Sequence, residues 1–374
     1  MSDFFAGMIP LVIYFAIVRD GLSPVYQGLL GFVWYFTSSI VQPLFGGYAD
    51  RHGRWWFLPG AILLTVTSLS LTGSVHSLPL LALCIIAGGL GSAIMHPEAG
   101  KYSAMLSGTR KAGGISIFQV GGQIGFALGP IAIAPLLAHF GGVGVLYLLP
   151  PMLLVAAAIF ASMPGVDRAA YGGARPATVP HAASEVVDRF GVSLLIASTA
   201  LRHFVSIAFM TFLPNVLAAR GYTLTQSGEL VSAFLMVSAV GLYLGGSLAD
   251  RFGALRVSVG SLCASVPLLA LFFAFPGTLG IALLLGGSVL LAMQNAPGVA
   301  LVQAMLPRNL GMALGLMNGV AFGVGSMCVA ATGFVGARIG FDAALAQVSF
   351  VPLLAALSYL AVGRRSSPRR PEAS

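Results

Sequence analysis

The sequence predicts an all-α membrane protein of twelve transmembrane helices arranged as two six-helix pseudo-repeats. Three observations predict it. Of the 374 residues, 57% are hydrophobic and only 8% charged, and mean hydropathy is +0.92; a soluble domain carries about a quarter charged residues. Apolar runs of about 18 residues or more recur along nearly the whole chain, each long enough to cross a bilayer as a helix. The second half echoes the first at a constant offset of 200 residues. A membrane β-barrel would show segments of about ten residues alternating with period two. The runs here are continuous and longer, which selects helices.

Turn signals and charges place the spans at residues 1–18, 24–48, 55–74, 78–100, 113–138, 143–163, 191–213, 225–248, 257–275, 279–300, 312–335 and 343–362. Residues 1–163 form the first half and 191–363 the second. Between them, 164–190 read "PGVDRAAYGGARPATVPHAASEVVDRF", whose Gly, Pro, Ala and charge predict a flexible cytoplasmic linker. Residues 364–374 form a basic cytoplasmic tail, either a stop-transfer flank or a contact with anionic headgroups.

The net charge of +8 could suggest nucleic-acid binding, but the positions of the charges give another explanation. With the N-terminus inside, fifteen Lys and Arg residues fall on the cytoplasmic side. Only Arg19, Arg220 and Arg338 fall outside, and Arg202 lies within a helix. That asymmetry is the topology signal of a protein in a bacterial inner membrane with both termini cytoplasmic; no nucleic-acid partner is expected. Cys84, Cys263 and Cys328 lie in apolar segments with no CxxC spacing, so they read as core residues, with no metal or disulfide framework. No basic n-region precedes the first apolar run, so no cleavable signal is expected.

The repeat is explicit. "GGYADRHG" at 46–53 returns as "GSLADRFG" at 246–253, Gly28 matches Gly228, Pro97 matches Pro297, and Met105-Leu106 matches Met305-Leu306. Parallel six-helix repeats of this kind are a transporter architecture, with the substrate site between the halves near the bilayer midplane.

These residues also carry a resemblance. "GGYADRHGR", with Gly46, Asp50, Arg51, Gly53 and Arg54, resembles the cytoplasmic loop motif of the major facilitator superfamily; the second copy keeps Asp250, Arg251 and Gly253 but has Ala254 for Arg54. "GFALGP", with Gly125, Gly129 and Pro130, is similar to the fifth-helix motif of drug antiporters in that superfamily. "MHPEAG" at 95–100, "GGISIFQVGGQIGFALGP" and "LRHFVSIAFMTFLP" resemble its fosmidomycin-resistance branch. The resemblance implies the major facilitator fold, alternating access, and proton-driven export of a small molecule, including phosphonate-type antibiotics. It also implies a gating contact at Asp50, Arg51, Gly53, Arg54, Asp250 and Arg251. In that branch polar residues of the first helix precede the aspartate that aligns with Asp3, and Asp3 matches His203, about twelve residues into the seventh helix. About ten residues of the first helix are therefore expected to be missing from this numbering.

Ionisable groups inside the membrane single out the candidate site. A charge at the bilayer centre costs about 2.5–3.5 kcal/mol on insertion scales, so it faces a cavity or a partner. Arg202 sits mid-span and cannot shed its proton; it either pairs with Asp3 or Glu98 or grips substrate. His203 and His96 are further substrate-site candidates. Asp3 and Glu98 are the proton-coupling candidates, with Glu98 alternatively pairing at the cytoplasmic rim with Lys101 or Arg110. Gln119, an i,i+4 neighbour of Gln123, either faces the cavity or hydrogen-bonds to the first or fourth helix. Asn318 falls near the corresponding point of the second half. Pro97 and Pro297 each remove a backbone hydrogen bond and are expected to bend matching helices. The His-x-Glu of "MHPEAG" lacks the Pro-Cys-x-x-Cys partner of zinc deaminases, so no enzyme is expected.

The sequence thus predicts a secondary transporter, a monomer, that exports a small drug-like or anionic molecule against protons. It needs no cofactor beyond the proton gradient and has membrane lipids around it. Uptake of an organic anion is the alternative within transport, and a receptor or scaffold without turnover the alternative outside it.

Overall fold

The computed structural model describes residues 1–45, 48, 54–106, 111–171, 188–306 and 315–366. Among them eleven stretches are long and apolar enough to cross a membrane, and one, Ile117–Ala169, holds two helices. Twelve helices result. They are α1 Ser2–Arg19, α2 Val25–Ser39, α3 Phe57–Leu71, α4 Leu78–Leu106, α5 Lys111–Phe140 and α6 Leu149–Tyr171. The second set is α7 Arg189–Ala219, α8 Leu224–Phe252, α9 Ala254–Ala274, α10 in two pieces, Gly277–Ala292 and Asn295–Met305, α11 Ala321–Ile339, and α12 in two pieces, Phe341–Val348 and Val351–Ser366. A tight 3₁₀ segment, Gly141–Leu148, joins α5 to α6, and a π-helical turn, Gly315–Val320, leads into α11. Helices are the form this composition can take in lipid, because each satisfies its backbone hydrogen bonds internally.

Exposed side chains confirm the solvent. Ile117, Tyr243 and Leu154 are each more than 70% exposed. Apolar surface on this scale belongs against acyl chains, since soluble monomers confine such patches to a few hundred Å².

The expected linker is partly helical. α6 runs through Pro164 to Tyr171, and α7 begins at Arg189; residues 172–187 lie outside the described set.

The repeat appears in backbone detail. α1 and α7 end in the same cap. Gly21 and Gly221 take φ of +61° and +84°. The next residue closes the cap: Leu22 N–H bonds Ile17 O at 2.9 Å, and Tyr222 N–H bonds Leu217 O at 3.0 Å. Glycine supplies the left-handed residue this Schellman cap requires.

The two central prolines differ. Pro97 lies inside an unbroken α4, whereas α10 is interrupted at Met293–Gln294, just before Pro297. Matching prolines therefore do not give matching breaks.

The chain forms two compact units. The first comprises Met1–His181, Ala208–Met236 and Ser326–Phe341; the second comprises Ala182–Ile207, Val237–Gly325 and Asp342–Ser374. In the first, α1 packs on α5, α2 on α4, and α3 on both α4 and α6. In the second, α9 packs on α10 and α12.

Candidate functional site

In the first unit α1 lies against α5 through glycine. A Cβ on Gly7 would sit 1.9 Å from the Phe126 carbonyl oxygen. One on Gly129 would sit 2.4 Å from the Phe4 oxygen, while Gly125 lies 3.4 Å from Phe4 N. The glycines of "GGQIGFALGP" thus bring two backbones together, and they fix the start of α1 and with it Asp3. Asp3 Oδ2 lies 2.8 Å from the position a Cβ would take on Gly122.

Across from it, α4 presents His96. His96 Nε2 lies 3.0 Å from Asp3 Oδ1, and Nδ1 lies 2.9 Å from the Ser92 carbonyl one turn back. The Ser92 hydroxyl also stands 3.4 Å from Nδ1, so the imidazole can donate either through Nδ1 to the Ser92 carbonyl or through Nε2 to the Asp3 carboxylate, and through both when it is protonated. Both side chains remain partly accessible, 28% for His96 and 21% for Asp3.

Glu98 does not join this pair. It is buried, and Lys101 Nζ stands 3.7 Å from its Oε1, one turn along α4 toward the Leu106 end. The next residue, Tyr102, donates to Asp167 of α6 at 2.6 Å. Gln119 is exposed on α5. Asn318 falls in the π-helical turn, and its side chain lies outside what is described.

In the second unit, Arg202 and His203 of α7 are both buried. Arg202 Nη2 lies 2.9 Å from each His203 ring nitrogen, and Phe322 of α11 packs edge-on against the imidazole at 4.8 Å. Among the described residues no carboxylate pairs with Arg202, and its Nε is buried without a hydrogen-bond partner. Gln294, in the break of α10, donates to Thr199 Oγ1 of α7 at 3.3 Å and to the Tyr359 hydroxyl of α12. Its own carbonyl oxygen is buried and unpaired. Tyr359 is within electrostatic reach of the guanidinium. Gly298 leaves room for this meeting, since a Cβ there would sit 2.5 Å from both Gln294 Nε2 and the Tyr359 oxygen. Gly325, the repeat partner of Gly125, packs on α7 as Gly125 packs on α1, with its Cβ position 2.9 Å from Phe204 N.

Gln294, Tyr359 and Thr199 are missing from the sequence-based candidates. Gln294 had a signal, as the first of two adjacent amides, Gln294 and Asn295, in a 29-residue apolar span just ahead of Pro297. Thr199 and Tyr359 had none, since single hydroxyls are common in such helices.

At the other end of the first unit α2, α5, α7, α8 and α11 close on one another. Gln27, fully buried, donates to the Thr211 carbonyl at 2.6 Å and to Asn215 Oδ1 at 3.0 Å. Gly28 faces α11, where a Cβ would lie 3.0 Å from Val329 O. Gly228 faces α5, where one would lie 2.3 Å from Ala134 Cβ and 2.8 Å from Pro130 O. Ile131 N–H, next to Pro130, turns out to Ser232 Oγ of α8 at 2.8 Å. The two glycines sit 200 residues apart and make equivalent contacts.

Of the loop-motif residues, Asp50, Arg51 and Gly53 lie outside the described set. Arg54 is exposed just ahead of α3. Asp250 and Arg251 end α8, with the Arg251 guanidinium 5.7 Å from the Phe252 ring centroid. Gly253 makes the turn into α9 at φ +90°.

The sequence matches the family model described as Major Facilitator Superfamily over residues 1–187 and 195–374. The chain belongs to the major facilitator superfamily. This family member is a multi-pass membrane transporter. It is 30% identical over 374 residues to the uncharacterized MFS-type transporter YfnC of Bacillus subtilis strain 168, covering 96% of this chain and 90% of that protein. It is 28% identical over 337 residues to the fosmidomycin resistance protein of Escherichia coli strain K12, covering 88% of this chain and 82% of that one. Among solved structures it resembles a bacterial homologue of the lysosomal transporter Spinster, inward-facing and occupied, with a TM-score of 0.80 at 16% identity over 97% of this chain and 94% of that one. It also resembles the nucleoside transporter NupG, with a TM-score of 0.73 at 14% identity over 96% of this chain and 98% of that one. At those identities the likeness speaks for the fold alone.

Proposed function

We propose that this transporter exports a small anionic molecule against entering protons. The observation that carries the reading is Arg202, a buried guanidinium with no carboxylate partner among the described residues. A cation in that position is costly to bury, and an anionic substrate would supply the missing charge. Thr199, Gln294 and Tyr359 are then the neighbouring polar groups, and His203 sets the guanidinium's orientation. Asp3 and His96 hold the coupled proton, and Glu98 is assigned to the rim with Lys101. The 28% identity to a fosmidomycin resistance protein supports a phosphonate-type substrate and the outward direction.

Alternating access supplies the mechanism. Two six-helix halves, 1–163 and 191–363, rock about the substrate site. The seam at Gln27, Gly28 and Gly228 is the outer gate in its closed state. Asp50, Arg51, Asp250 and Arg251 act at the cytoplasmic gate. The excess of basic residues at the opposite end from Arg19, Arg220 and Arg338 supports cytoplasmic termini and an inner-membrane location. The working unit is taken as a monomer.

The test uses everted vesicles with an imposed proton gradient. A phosphonate such as fosmidomycin, added to vesicles containing the protein, is expected to accumulate and to release lumenal protons. Proton uptake together with the substrate would replace export by symport. No substrate-dependent proton movement across phosphonate, carboxylate and cationic compounds would overturn the coupled reading.

A further inference from the structure

We infer that the second unit carries a binding groove for an anionic phospholipid between α8, α9 and α10. The groove has a volume of about 440 Å³ and is lined by Leu248 and Phe252 of α8, Gly260 and Ala264 of α9, and Leu290 of α10, with Arg256 at one end. Arg256 sits in the first turn of α9. From there to Ala264, eight residues on, the helix rises about 12 Å, so the groove joins one cation to an apolar channel running into the membrane.

That pairing matches one kind of molecule. Arg256 is exposed and takes part in no ion pair among the described residues. Asp250, the nearest acid along the chain, does not line the groove. The floor is open at Gly260, where an added Cβ would meet nothing within 4 Å. The Phe252 ring at the mouth is 53% exposed. A phosphate ester fits the guanidinium as a bidentate partner, and an acyl chain fits the channel. Basic pockets at the cytoplasmic ends of transmembrane helices suit anionic headgroups. A soluble anion would use only the mouth, and a zwitterionic lipid would lack the net charge that Arg256 attracts.

The test is lipid retention by the purified full-length protein, read by native mass spectrometry and by thermal unfolding in mixed micelles. The probes are a phosphatidylglycerol, a phosphatidylcholine with the same acyl chains, and glycerol phosphate. The wild type is expected to retain phosphatidylglycerol about fivefold over phosphatidylcholine, the scale of one surface arginine, and glycerol phosphate is expected to give no stabilisation. Arg256→Gln should abolish the preference. Gly260→Leu fills the groove and should reduce retention of both lipids, while Arg220→Gln at the opposite end should change neither. Equal retention of the two lipids by the wild type would overturn the inference. So would unchanged preference in both groove variants, or glycerol phosphate protecting as well as the lipid.

Discussion

His96 Nε2 stands 3.0 Å from Asp3 Oδ1, and its other nitrogen faces the Ser92 carbonyl. On the proposed function, this contact is where the coupled proton is held. Asp3→Asn and His96→Gln should each keep the fold and lose proton-coupled transport. One charge-assisted hydrogen bond is worth about 1.5–3 kcal/mol, roughly a 10- to 100-fold fall in coupled flux. Glu98→Gln should lose less than tenfold, because Glu98 faces Lys101. The vesicle assay separates the two, and a Glu98→Gln defect larger than that of Asp3→Asn would move the proton site.

Arg202 offers a contrast between stability and transport. Replacing a buried cation that has no carboxylate partner among the described residues by an apolar side chain of similar length should stabilise the substrate-free protein by about 1–4 kcal/mol. Arg202→Met is therefore expected to raise the Tm in detergent while abolishing transport. Arg202→Lys keeps the charge but loses the planar fork and should raise KM. A lower Tm for Arg202→Met would show that the guanidinium already has its partner within the protein.

The α1–α5 contact discriminates between neighbouring glycines. Gly125→Ala places its methyl 3.4 Å from Phe4 N, an ordinary contact, whereas Gly129→Ala drives one to 2.4 Å from the Phe4 carbonyl oxygen. The first should be close to neutral. The second should cost about 1–3 kcal/mol as overpacking, with a lower Tm and folded yield. Equal effects would mean that α1 does not lie on α5 in this register.

The seam at Gln27 can be probed from outside. With Cys84, Cys263 and Cys328 replaced by alanine, Thr211→Cys places a thiol beside Gln27, where Thr211 is fully buried. Gly228→Leu wedges against the Pro130 carbonyl and Ala134. It should raise labelling by a membrane-impermeant thiol reagent severalfold. Unchanged protection would mean that these contacts do not close the outer end.

Asp20 gives a pH dependence outside the membrane span. Its carboxylate accepts two hydrogen bonds from Arg19, at 2.8 and 2.6 Å, and a contact from His76 at 3.0 Å. The Arg19 hydrogen bonds hold it below the ordinary carboxylate value, with burial opposing and His76 assisting. A lowered folded value means the stabilisation is complete above the unfolded value of about 3.9 and is lost as pH falls through the folded one. Asp20→Asn should cost about 1 kcal/mol near neutrality, and its Tm difference from wild type should begin to shrink as pH falls below about 4 and vanish below the folded value. A constant difference would remove the carboxylate from the account.

Much of the architecture was legible in the sequence because membrane burial writes itself as composition. The predicted spans match the helices to within a few residues at most ends, and the 200-residue offset reappears in the Gly21 and Gly221 caps. Pairing was not legible. That His96 meets Asp3, while Glu98 turns to Lys101, depends on how α5 seats α1 and how α2 and α3 seat α4, through glycine contacts made in three dimensions. Pro97 and Pro297 look equivalent in sequence, but only α10 breaks, and Gln294 occupies the break. A rule about proline cannot anticipate that, because a freed carbonyl can be tolerated or taken up differently by each set of neighbours.

The seats of Gly125 on Phe4 and Gly325 on Phe204 leave a practical legacy for engineering. Because backbones rather than side chains make those contacts, the seat of α7 on α11 does not draw on Arg202, whereas Gln294 ties Thr199 of α7 to Tyr359 of α12 and belongs to the frame. Arg202 can be varied without disturbing what holds α7 against α11. On the proposed function, cargo range becomes a property that a small library at Arg202 can redraw while the frame is inherited intact.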